Sequence, residues 1–250
     1  MSFSLAPGRL ALPLVLATVL AVALGSPVHA ASLGSYARDG HLVGIDVSHW
    51  QGRPHWKSVR AAGARFVIAK ATEAQGFVDG QFARNKRRAD ALGIPFTAYH
   101  FARPDRTARD ARREADHFVR TAGLVGRHLL PVLDLEVSGG LGPKRLIEWT
   151  RTWLGRVEQR LGVKPMIYTS PAFWTERMNN TRWFANNGYR LWVAHWRATQ
   201  PTVPAANWAG RGWTFWQVSD CGSVAGISGC VDVDLHRGTK LGRLRIKNNR

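Results

Sequence analysis

The sequence predicts an α/β barrel of eight strands from which the last helices are missing. Three observations lead to this prediction: short apolar runs recur along the chain, helical spacing separates the early runs, and glycine or proline stands where helices would end or begin. Alternating strands and helices imply parallel strands, because a parallel connection needs a crossover. Eight such strands suggest a closed barrel, with an active site at the C-terminal ends of its strands. The runs are Leu42–Val47, Arg65–Ala69, Pro95–His100, Leu130–Glu136, Lys164–Tyr168, Arg190–Ala194, Trp213–Val218 and Val231–Leu235.

Four helices follow the early runs, and their ends carry residues suited to those positions. Gly93, Gly123 and Gly162 fall where a helix C-terminus needs a residue that tolerates positive φ. Pro143 suits a first helical turn. Further along the chain we expect one short helix, around Pro171–Met178, and loops between the later strands. The four predicted helices are Trp56–Ala62, Phe82–Leu92, Ala108–Ala122 and Pro143–Leu161.

The N-terminus has the order of a cleavable secretory signal. A polar segment with one basic residue, Arg9, precedes an apolar segment at Leu10–Leu24, and small residues stand at the −3 and −1 positions of Val28-His29-Ala30. The apolar segment is shorter than the roughly 20 residues that span a bilayer, so an uncleaved anchor is the less favoured alternative. We therefore predict a secreted, extracellular protein with a signal peptide at 1–30, a short polar lead-in at 31–40 and a single barrel domain at 41–250.

The chain is strongly basic. Its formal net charge is +18, and because Arg9 is the only charged residue among the first 30, the mature chain would carry +17. A field of this size attracts polyanions, which for an exported protein are anionic cell-wall polymers, anionic membrane surfaces or extracellular nucleic acid. The alternative is that basic runs such as 84–88 and 106–113 are solvated helix faces. No later segment is apolar enough to cross a bilayer, and nothing indicates an oligomer, so we expect a monomer.

Cysteine and histidine usage argues for a disulfide and against a metal site. The only two cysteines, Cys221 and Cys230, lie close together in an exported chain, so we expect a disulfide that closes the loop between them. No other cysteine exists to complete a metal site, and the nine histidines show no HExxH pattern or paired ligand spacing. Walker-type and dinucleotide-binding glycine patterns are also missing from the sequence. We therefore expect neither a metal nor an organic cofactor.

The fourth apolar run, Leu129–Val137, ends with two acids. Residues two apart in an extended chain point to the same face, about 6–7 Å from each other. Asp134 and Glu136 should therefore project side by side, while Leu133 and Leu135 face the other way. Burying two unpaired carboxylates is costly, so this pattern indicates chemistry. A structural ion pair with Lys or Arg is the alternative.

Polar or aromatic residues stand at the end of every run, where the barrel would have its rim. This convergence of acids and aromatic residues on one rim favours the functional interpretation of the acid pair over the ion pair. The rim residues are, in chain order, Asp46, Lys70 with Glu73, Tyr99-His100, Asp134 with Glu136, Tyr168, Trp192 with His195-Trp196, Trp216-Gln217, and Asp232 with Asp234.

Enzymes that break glycosidic bonds commonly use a pair of acids. Cleavage needs a proton for the leaving oxygen and negative charge near the developing oxocarbenium ion. We predict Glu136 as the proton donor, its pKa raised by the neighbouring charges of Asp46, Asp134 and Asp232 and by a rim of low polarity. Asp134 would act as nucleophile, as electrostatic stabiliser or as a partner that orients an N-acetyl group, and the sequence does not separate these roles.

The chain contains 11 tryptophans, an unusually large supply. Flat aromatic rings bind the apolar C–H faces of sugars, and Trp196, Trp216 and Tyr168 are the candidates for such a platform. The alternative for any tryptophan is core packing, which we favour for those inside helical patterns. These are Trp56, Trp149 and Trp153.

An ordered set of motifs resembles glycoside hydrolase family 25, the lysozymes of the Chalaropsis type. The resemblance runs from about Gly44 to Leu235, nearly the whole mature chain, and its specificity comes from the order of the set. The motifs are Gly44-Ile45-Asp46-Val47-Ser48-His49-Trp50-Gln51-Gly52, Phe66-Val67-Ile68-Ala69-Lys70-Ala71-Thr72-Glu73, Tyr99-His100-Phe101, Pro131-Val132-Leu133-Asp134-Leu135-Glu136, Ile167-Tyr168-Thr169, Leu191-Trp192-Val193-Ala194-His195-Trp196, Phe215-Trp216-Gln217 and Gly226-Ile227-Ser228-Gly229-Cys230-Val231-Asp232.

The resemblance implies an irregular, TIM-like (β/α)5(β)3 barrel that hydrolyses the β-1,4 bond between N-acetylmuramic acid and N-acetylglucosamine in peptidoglycan. By position, Glu136 resembles the catalytic acid and Asp134 its acidic partner, while Asp46 and Asp232 match the other two rim carboxylates. Family members often carry Asn at the second acid of Val231-Asp232-Val233-Asp234, so which aspartate occupies the pocket stays open. The expected substrate-binding residues are Tyr99, Tyr168, Trp196, Trp216, Gln217 and Asp234.

The sequence thus predicts a secreted muramidase that acts on peptidoglycan and is held near anionic wall polymers by its basic surface. A non-catalytic wall-binding barrel is the first alternative, and the intact Asp46, Asp134 and Glu136 argue against it. A chitin-type N-acetylglucosaminyl hydrolase is the second, since it also uses acids at strand ends. A nucleic-acid binder is the weakest, because basic patches without a matching fold are poor evidence.

Overall fold

The computed structural model describes residues 32–107 and 109–247, and the predicted signal peptide at 1–30 lies outside them. Within this part, eight strands close into a barrel and a two-residue ninth strand extends one of them as a hairpin. The strands are β1 (Leu42–Val47), β2 (Val67–Glu73), β3 (Phe77–Val78), β4 (Phe96–Phe101), β5 (Val132–Asp134), β6 (Met166–Thr169), β7 (Arg190–Ala194), β8 (Phe215–Gly222) and β9 (Val231–His236).

The barrel is mostly parallel, with one reversed strand. Going round it, β1, β2, β4, β5, β6, β7 and β8 are joined by parallel pairings. The last strand, β9, lies antiparallel between β8 and β1 and closes the ring. The predicted fold class is confirmed, but β9 reaches the rim with its first residues and not with its last.

All eight predicted runs become barrel strands; two have the predicted bounds, and the ends of the others shift by at most four residues. Their continuous apolar sequences suit strands that are buried on both faces, as in parallel sheets covered by helices. The short strand β3 was not predicted. Its Phe77 and Val78 are exposed at 44% and 48%, so no alternation of buried and exposed positions marks it in the sequence.

The predicted long helices are present, and two short helices were missed. Gly93, Gly123 and Gly162 adopt positive φ at helix ends, and Pro143 occupies the first turn of its helix, as predicted. The links from β6 to β7 and from β7 to β8 contain short helices where the sequence predicted loops, because so few turns leave no readable periodicity. The helices are α1 (Trp56–Ala61), α2 (Phe82–Ala91), α3 (Asp110–Ala122), α4 (Pro143–Leu161), α5 (Pro171–Arg177), α6 (Trp183–Asn186) and α7 (Pro204–Ala209).

Apolar side chains fill the inside of the barrel below its rim. Phe66 and Phe215 meet there with ring centroids 4.9 Å apart, and both are fully buried. Gly44 is required beside them, because a Cβ at this position would lie 2.5 Å from the Phe66 ring. At the bottom, Leu241 and Leu244 from the C-terminal segment pack on this interior cluster and close the base.

The second apolar layer lies between the strands and the surrounding helices. Trp56, Trp149 and Trp153 are buried in it, as the sequence predicted for the tryptophans inside helical patterns. The Trp149 indole also donates to Asp110 Oδ2 at 2.6 Å, which ties α4 to the start of α3. In the predicted polar lead-in, Leu33 is buried within a 3-10 turn that contacts β1.

The expected disulfide joins Cys221 to Cys230 and ties the end of β8 to the residue before β9. The Gln51 amide donates to the Cys230 carbonyl at 3.2 Å, so this loop is also held to the turn after β1. Among the described residues, no helix has both the length and the apolar character needed to span a bilayer.

Replacing Phe215 by Ala tests the contribution of the barrel interior. Because this ring is fully buried against Phe66, we expect Phe215→Ala to lower the free energy of unfolding by about 3–5 kcal/mol, as measured by urea denaturation. Val125→Ala is the control, since Val125 is 48% exposed, and should cost no more than about 0.5 kcal/mol. Equal, small effects of both substitutions would contradict a packed interior.

Candidate active site

Five carboxyl groups gather at the rim of the barrel. Asp46 is the next-to-last residue of β1 and stands directly opposite Asp232 in the antiparallel register of β1 with β9. Asp134 ends β5, and Glu136 follows two residues later with Leu135 buried between them in the outer layer. Asp234 lies two residues further along β9 and faces the same side as Asp232. The first residues of β9 and the last residues of β1 and β5 therefore meet at one place.

Asp134 and Glu136 form a pair that shares a proton. The two carboxyl groups lie within hydrogen-bonding reach of each other. Burial raises the pKa of Asp134 well above its usual value, and the charge of Glu136 raises it further. Burial also raises the pKa of Glu136. Asp134 Oδ1 is buried and has no N–H or hydroxyl donor among the described residues. A proton held between the two acids would satisfy it.

Lys70 supplies positive charge beside this pair. Its charge acts against the rise in the pKa of both Asp134 and Glu136, so it favours one negative charge on the pair. Lys70 is 8% exposed, and its ammonium group donates to Glu73 Oε2 at 2.5 Å. Lys70 therefore pairs with Glu73, and its charge also acts on the acid pair, an effect that the sequence did not indicate.

Asp46, Asp232 and Asp234 form a second proton-sharing group next to the first. Burial raises the pKa of Asp46, and the charge of Asp234 adds to this effect. Burial and the neighbouring Asp46 charge raise the pKa of Asp232 to about 9. Asp234 Oδ1 accepts from the Trp192 indole at 2.8 Å, and its carboxyl group is also in contact with that of Asp46. At neutral pH this group retains protons that free aspartates would release.

Gln217 connects the acids to the aromatic residues of the rim. Its Oε1 accepts from the Tyr168 hydroxyl at 2.9 Å and from the Trp196 indole at 2.7 Å. Its Nε2 donates to Asp46 Oδ2 at 2.8 Å and to Asp232 Oδ2 at 3.3 Å. All four hydrogen-bonding positions of the amide are used, so Gln217 fixes these four side chains and has no vacant position for a substrate.

Three aromatic side chains line the barrel immediately below the acids. The Tyr168 ring lies 4.4 Å from the Trp192 ring, and the Tyr99 ring lies 6.4 Å from it on another side. Burial, followed by the charges of nearby aspartates, raises the pKa of the Tyr99 hydroxyl, which is therefore a neutral hydrogen-bond donor beside Asp46 and Asp134. Only 9% of Tyr99 and 5% of Tyr168 are exposed, so each can present little more than its hydroxyl end to a ligand.

An open groove of about 680 Å³ leads to the acid pair. Glu136 is the member of the pair that lines it and is exposed to it, whereas Asp134 lies beneath. Trp196 is 44% exposed along the groove and is held by its bond to Gln217. We refer to this surface as the groove; its lining residues are Glu136, Ser170, Pro171, Ala172, Ala194, His195, Trp196, Arg197, Thr202 and Asp220.

Two of the predicted substrate-binding residues are placed where they cannot contact a substrate in the groove. Trp216 alternates with Gln217 along β8 and therefore points outward, where its ring packs against Trp213 and under the Arg38 guanidinium. Asp234 has no exposed surface, because the reversed direction of β9 puts it one layer below Asp232. Neither residue lines the groove, Asp234 contacts Asp46 instead, and the substrate contacts expected of Trp216 and Asp234 stay predictions.

The sequence analysis missed an aromatic cluster on another part of the rim. Trp50, shortly after β1, is 82% exposed, and its ring centroid lies 4.8 Å from that of His49. Phe77 of β3 lies 5.9 Å from the same imidazole. The backbone N–H and Nδ1 of His49 both contact Asp79 Oδ2 at 2.8 Å, so the cluster is held firmly. The available signal was a pair of aromatic rings in the turn that follows the rim acid of β1.

No group of three or more His, Cys, Asp or Glu side chains in residues 32–107 and 109–247 is arranged to hold a metal ion. The carboxyl groups at the rim contact one another through shared protons, and the cation that acts on the pair, Lys70, belongs to the protein. These side chains can transfer protons and stabilise charge.

Comparison with known proteins agrees with this geometry. Residues 45–227 match the model of the family described as glycosyl hydrolases family 25. Lysozyme M1 of Streptomyces globisporus is 38% identical over 217 residues, which cover 83% of this chain and 72% of that protein. An N,O-diacetylmuramidase of Arthroderma benhamiae is 34% identical over 84% of this chain and 90% of its own length. The crystal structure of a lysozyme from Streptomyces coelicolor superposes with a TM-score of 0.75 at 36% identity, covering 81% of this chain and 94% of that one.

The raised pKa of Asp232 predicts how stability depends on pH. Between about pH 4 and about pH 9 the folded chain retains a proton on Asp232 that the unfolded chain releases, so stability should fall as pH rises through this range. Each such proton contributes a slope of about 1.4 kcal/mol per pH unit. We expect Asp232→Asn to flatten the decline in unfolding free energy between pH 5 and pH 8, measured by urea denaturation. Glu176→Gln, on the exposed face of α5, should leave the slope unchanged; an unchanged slope in both variants would show that Asp232 is ionised in the folded protein.

Proposed function

Because this chain belongs to glycosyl hydrolase family 25, we propose that it is a secreted muramidase that hydrolyses the β-1,4 bond between N-acetylmuramic acid and N-acetylglucosamine in peptidoglycan. The observation that carries this proposal is the proton-sharing pair of Asp134 and Glu136 at the end of an open groove. Burial raises the pKa of both carboxyl groups, and Glu136 lines the groove where a sugar can reach it, which suits the proton donation that cleavage of a glycosidic bond requires.

Glu136 is the proposed proton donor. It is the member of the pair that lines the groove. Burial raises the pKa of Glu136, the hydrogen bond with Asp134 and the charge of Lys70 act to lower it, and the net shift is upward, which favours the protonated form that a donor needs. When the proton leaves, both members of the pair become negative beside the anomeric carbon as positive charge develops there. Lys70 limits the resulting repulsion, because its charge favours the ionised forms of both acids.

The contact between Asp134 and Glu136 argues against one of the three roles left open for Asp134, that of the nucleophile. An acid and a nucleophile on opposite sides of a glycosidic bond stand roughly 5–5.5 Å apart, and an acid and a water-activating base about 6.5–9.5 Å apart. Carboxyl groups that share a proton are closer than either range. We therefore propose that Asp134 stabilises charge or orients the N-acetyl group of the substrate, with Asp46 and Asp232 as further rim carboxylates.

The proposed glycan path crosses the rim from Trp196 to the cluster of His49, Trp50 and Phe77. Both ends of this path present aromatic rings to solvent. The rim acids, which belong to β1, β5 and β9, lie between these two ends. Tyr99 and Tyr168 would offer their hydroxyl ends from below. We propose extracellular action after removal of residues 1–30, no metal or organic cofactor, and peptidoglycan as the principal partner.

Replacing Glu136 by Gln tests the proton donor. We expect Glu136→Gln to lower kcat on purified peptidoglycan by about 10²–10⁴-fold, because the amide cannot deliver a proton, while binding to sacculi is retained. Glu176→Gln is the matched control and should keep full activity. If the wild-type protein binds sacculi and releases no fragments, the chain is a non-catalytic wall-binding barrel.

The new reducing ends identify the bond that is cleaved. Mass spectrometry of fragments released from purified sacculi should find N-acetylmuramic acid at every new reducing end, and chitin oligomers incubated in parallel should stay intact. N-acetylglucosamine at the reducing ends, or cleavage of chitin at a comparable rate, would replace the muramidase assignment with a chitin-type hydrolase.

Replacing Trp50 tests the far end of the glycan path. Because this side chain is 82% exposed, Trp50→Ala should leave the thermal unfolding temperature almost unchanged. Loss of one aromatic contact of about 0.5–1.5 kcal/mol should raise KM for long glycan strands roughly three- to tenfold. Trp50→Phe keeps a ring and should restore most of the affinity; an unchanged KM for Trp50→Ala would place the glycan elsewhere.

A further inference from the structure

A second cavity lies on the outer surface of the barrel, between α1 and α2. Its volume is about 370 Å³, and none of the rim acids lines it. Three of its lining side chains are cationic and none is a carboxylate. The lining residues are Pro54, His55, Trp56, Lys57, Arg84, Arg88, Ala91 and Leu92.

The cationic side chains of this cavity are not neutralised by the protein. None of Lys57, Arg84 and Arg88 forms an ion pair with another described residue. Arg84 and Arg88 are four residues apart on α2, so their like charges share one face of the helix and repel each other. The acid that follows on α2, Asp90, is occupied by Arg127 and His128. An anion in the cavity would relieve this repulsion.

Two hydrogen-bond donors of the lining residues are also without acceptors. Arg84 Nη1 and Trp56 Nε1 are buried and have no partner among the described residues. A buried donor left unpaired costs about 1–3 kcal/mol, and more when it is charged. Buried donors in folded proteins almost always have a partner, which can be a bound ion. A ligand that binds in this cavity therefore needs hydrogen-bond acceptors.

The chemistry of a matching ligand follows from the unpaired charge and the unpaired donors. A group that carries negative charge and only accepts hydrogen bonds would satisfy both, and a phosphate oxygen pair matches the fork of a guanidinium group. We infer that this cavity binds a phosphate group of an anionic phosphodiester polymer, which is a chemical class found among the anionic wall polymers expected for a chain of charge +17. The cavity would hold the enzyme on the polymer while the groove stays free for the glycan.

Binding measurements with a charge-matched control test this inference. The affinity of the full-length mature chain for poly(glycerol phosphate) would be measured by calorimetry at low salt. The variant Lys57→Gln/Arg84→Gln/Arg88→Gln should lose at least tenfold in affinity. The variant Arg112→Gln/Arg113→Gln/Arg120→Gln removes the same charge from the exposed face of α3 and should lose no more than about threefold. Equal losses in the two variants would overturn the site and leave only the overall charge.

Three further measurements distinguish a phosphate site in the cavity from binding to lipid, from unfolding of the variant and from loss of catalysis. Inorganic phosphate should bind the wild-type chain weakly and compete with the polymer; binding to anionic lipid vesicles without binding to the polymer would overturn the inference.

Arg88 is exposed, so Arg88→Gln alone should fold and lose part of the affinity; no loss would count against the site even if the triple variant were unstable. All cavity variants should cleave soluble glycan fragments at the wild-type rate, so a failure of the muramidase proposal would be visible independently.

Discussion

The antiparallel pairing of β9 with β1 is the constraint on which the rest of the structure depends. It closes the barrel, and its register sets Asp46 opposite Asp232 and Gly44 opposite Asp234. Because β9 runs against the other strands, its first acid arrives at the rim and its second lies one layer deeper. A parallel last strand would present different residues at the rim and would leave Asp46 without its two proton-sharing partners.

The electrostatics of the site follow from crowding these acids in a place with little water. Burial is the largest cause of the raised pKa of each rim acid, and repulsion between neighbours is the second for the aspartates. Burial removes the water molecules that would otherwise donate hydrogen bonds to these carboxyl groups, and protons shared between the carboxyl groups replace them. Gln217 and Trp192 supply the remaining N–H groups, and Lys70 supplies the cation that acts on the catalytic pair. The site thus holds protons in reserve without a histidine or a metal in these contacts.

The barrel strands and most residues of the rim could be predicted from the sequence, because local patterns in the chain mark them. The continuous apolar runs identified every barrel strand. The polar or aromatic residues at the ends of the runs identified the rim for the parallel strands, whereas β9 is antiparallel and reaches the rim with its first residues. Trp216 and Gln217 are adjacent in β8 and therefore face opposite sides of the sheet. Because both are buried, burial alone does not show from the sequence which of the two faces the rim. The strand β3 was missed because a short exposed hairpin has neither periodicity nor buried residues. Trp50 was missed because it lies in a three-residue 3-10 turn after β1, which is too short to show periodicity. The contacts of Gln217 depend on four separate elements, and such a junction is visible only once the chain is folded.

The closed base of the barrel has a consequence for how polymers are handled. Leu241 and Leu244 of the C-terminal segment pack against the interior cluster, and the Leu244 carbonyl accepts from the Leu130 amide at 2.8 Å. The base of the barrel is therefore closed. Nothing can thread through it from end to end. A long glycan strand can therefore contact the barrel only across its rim.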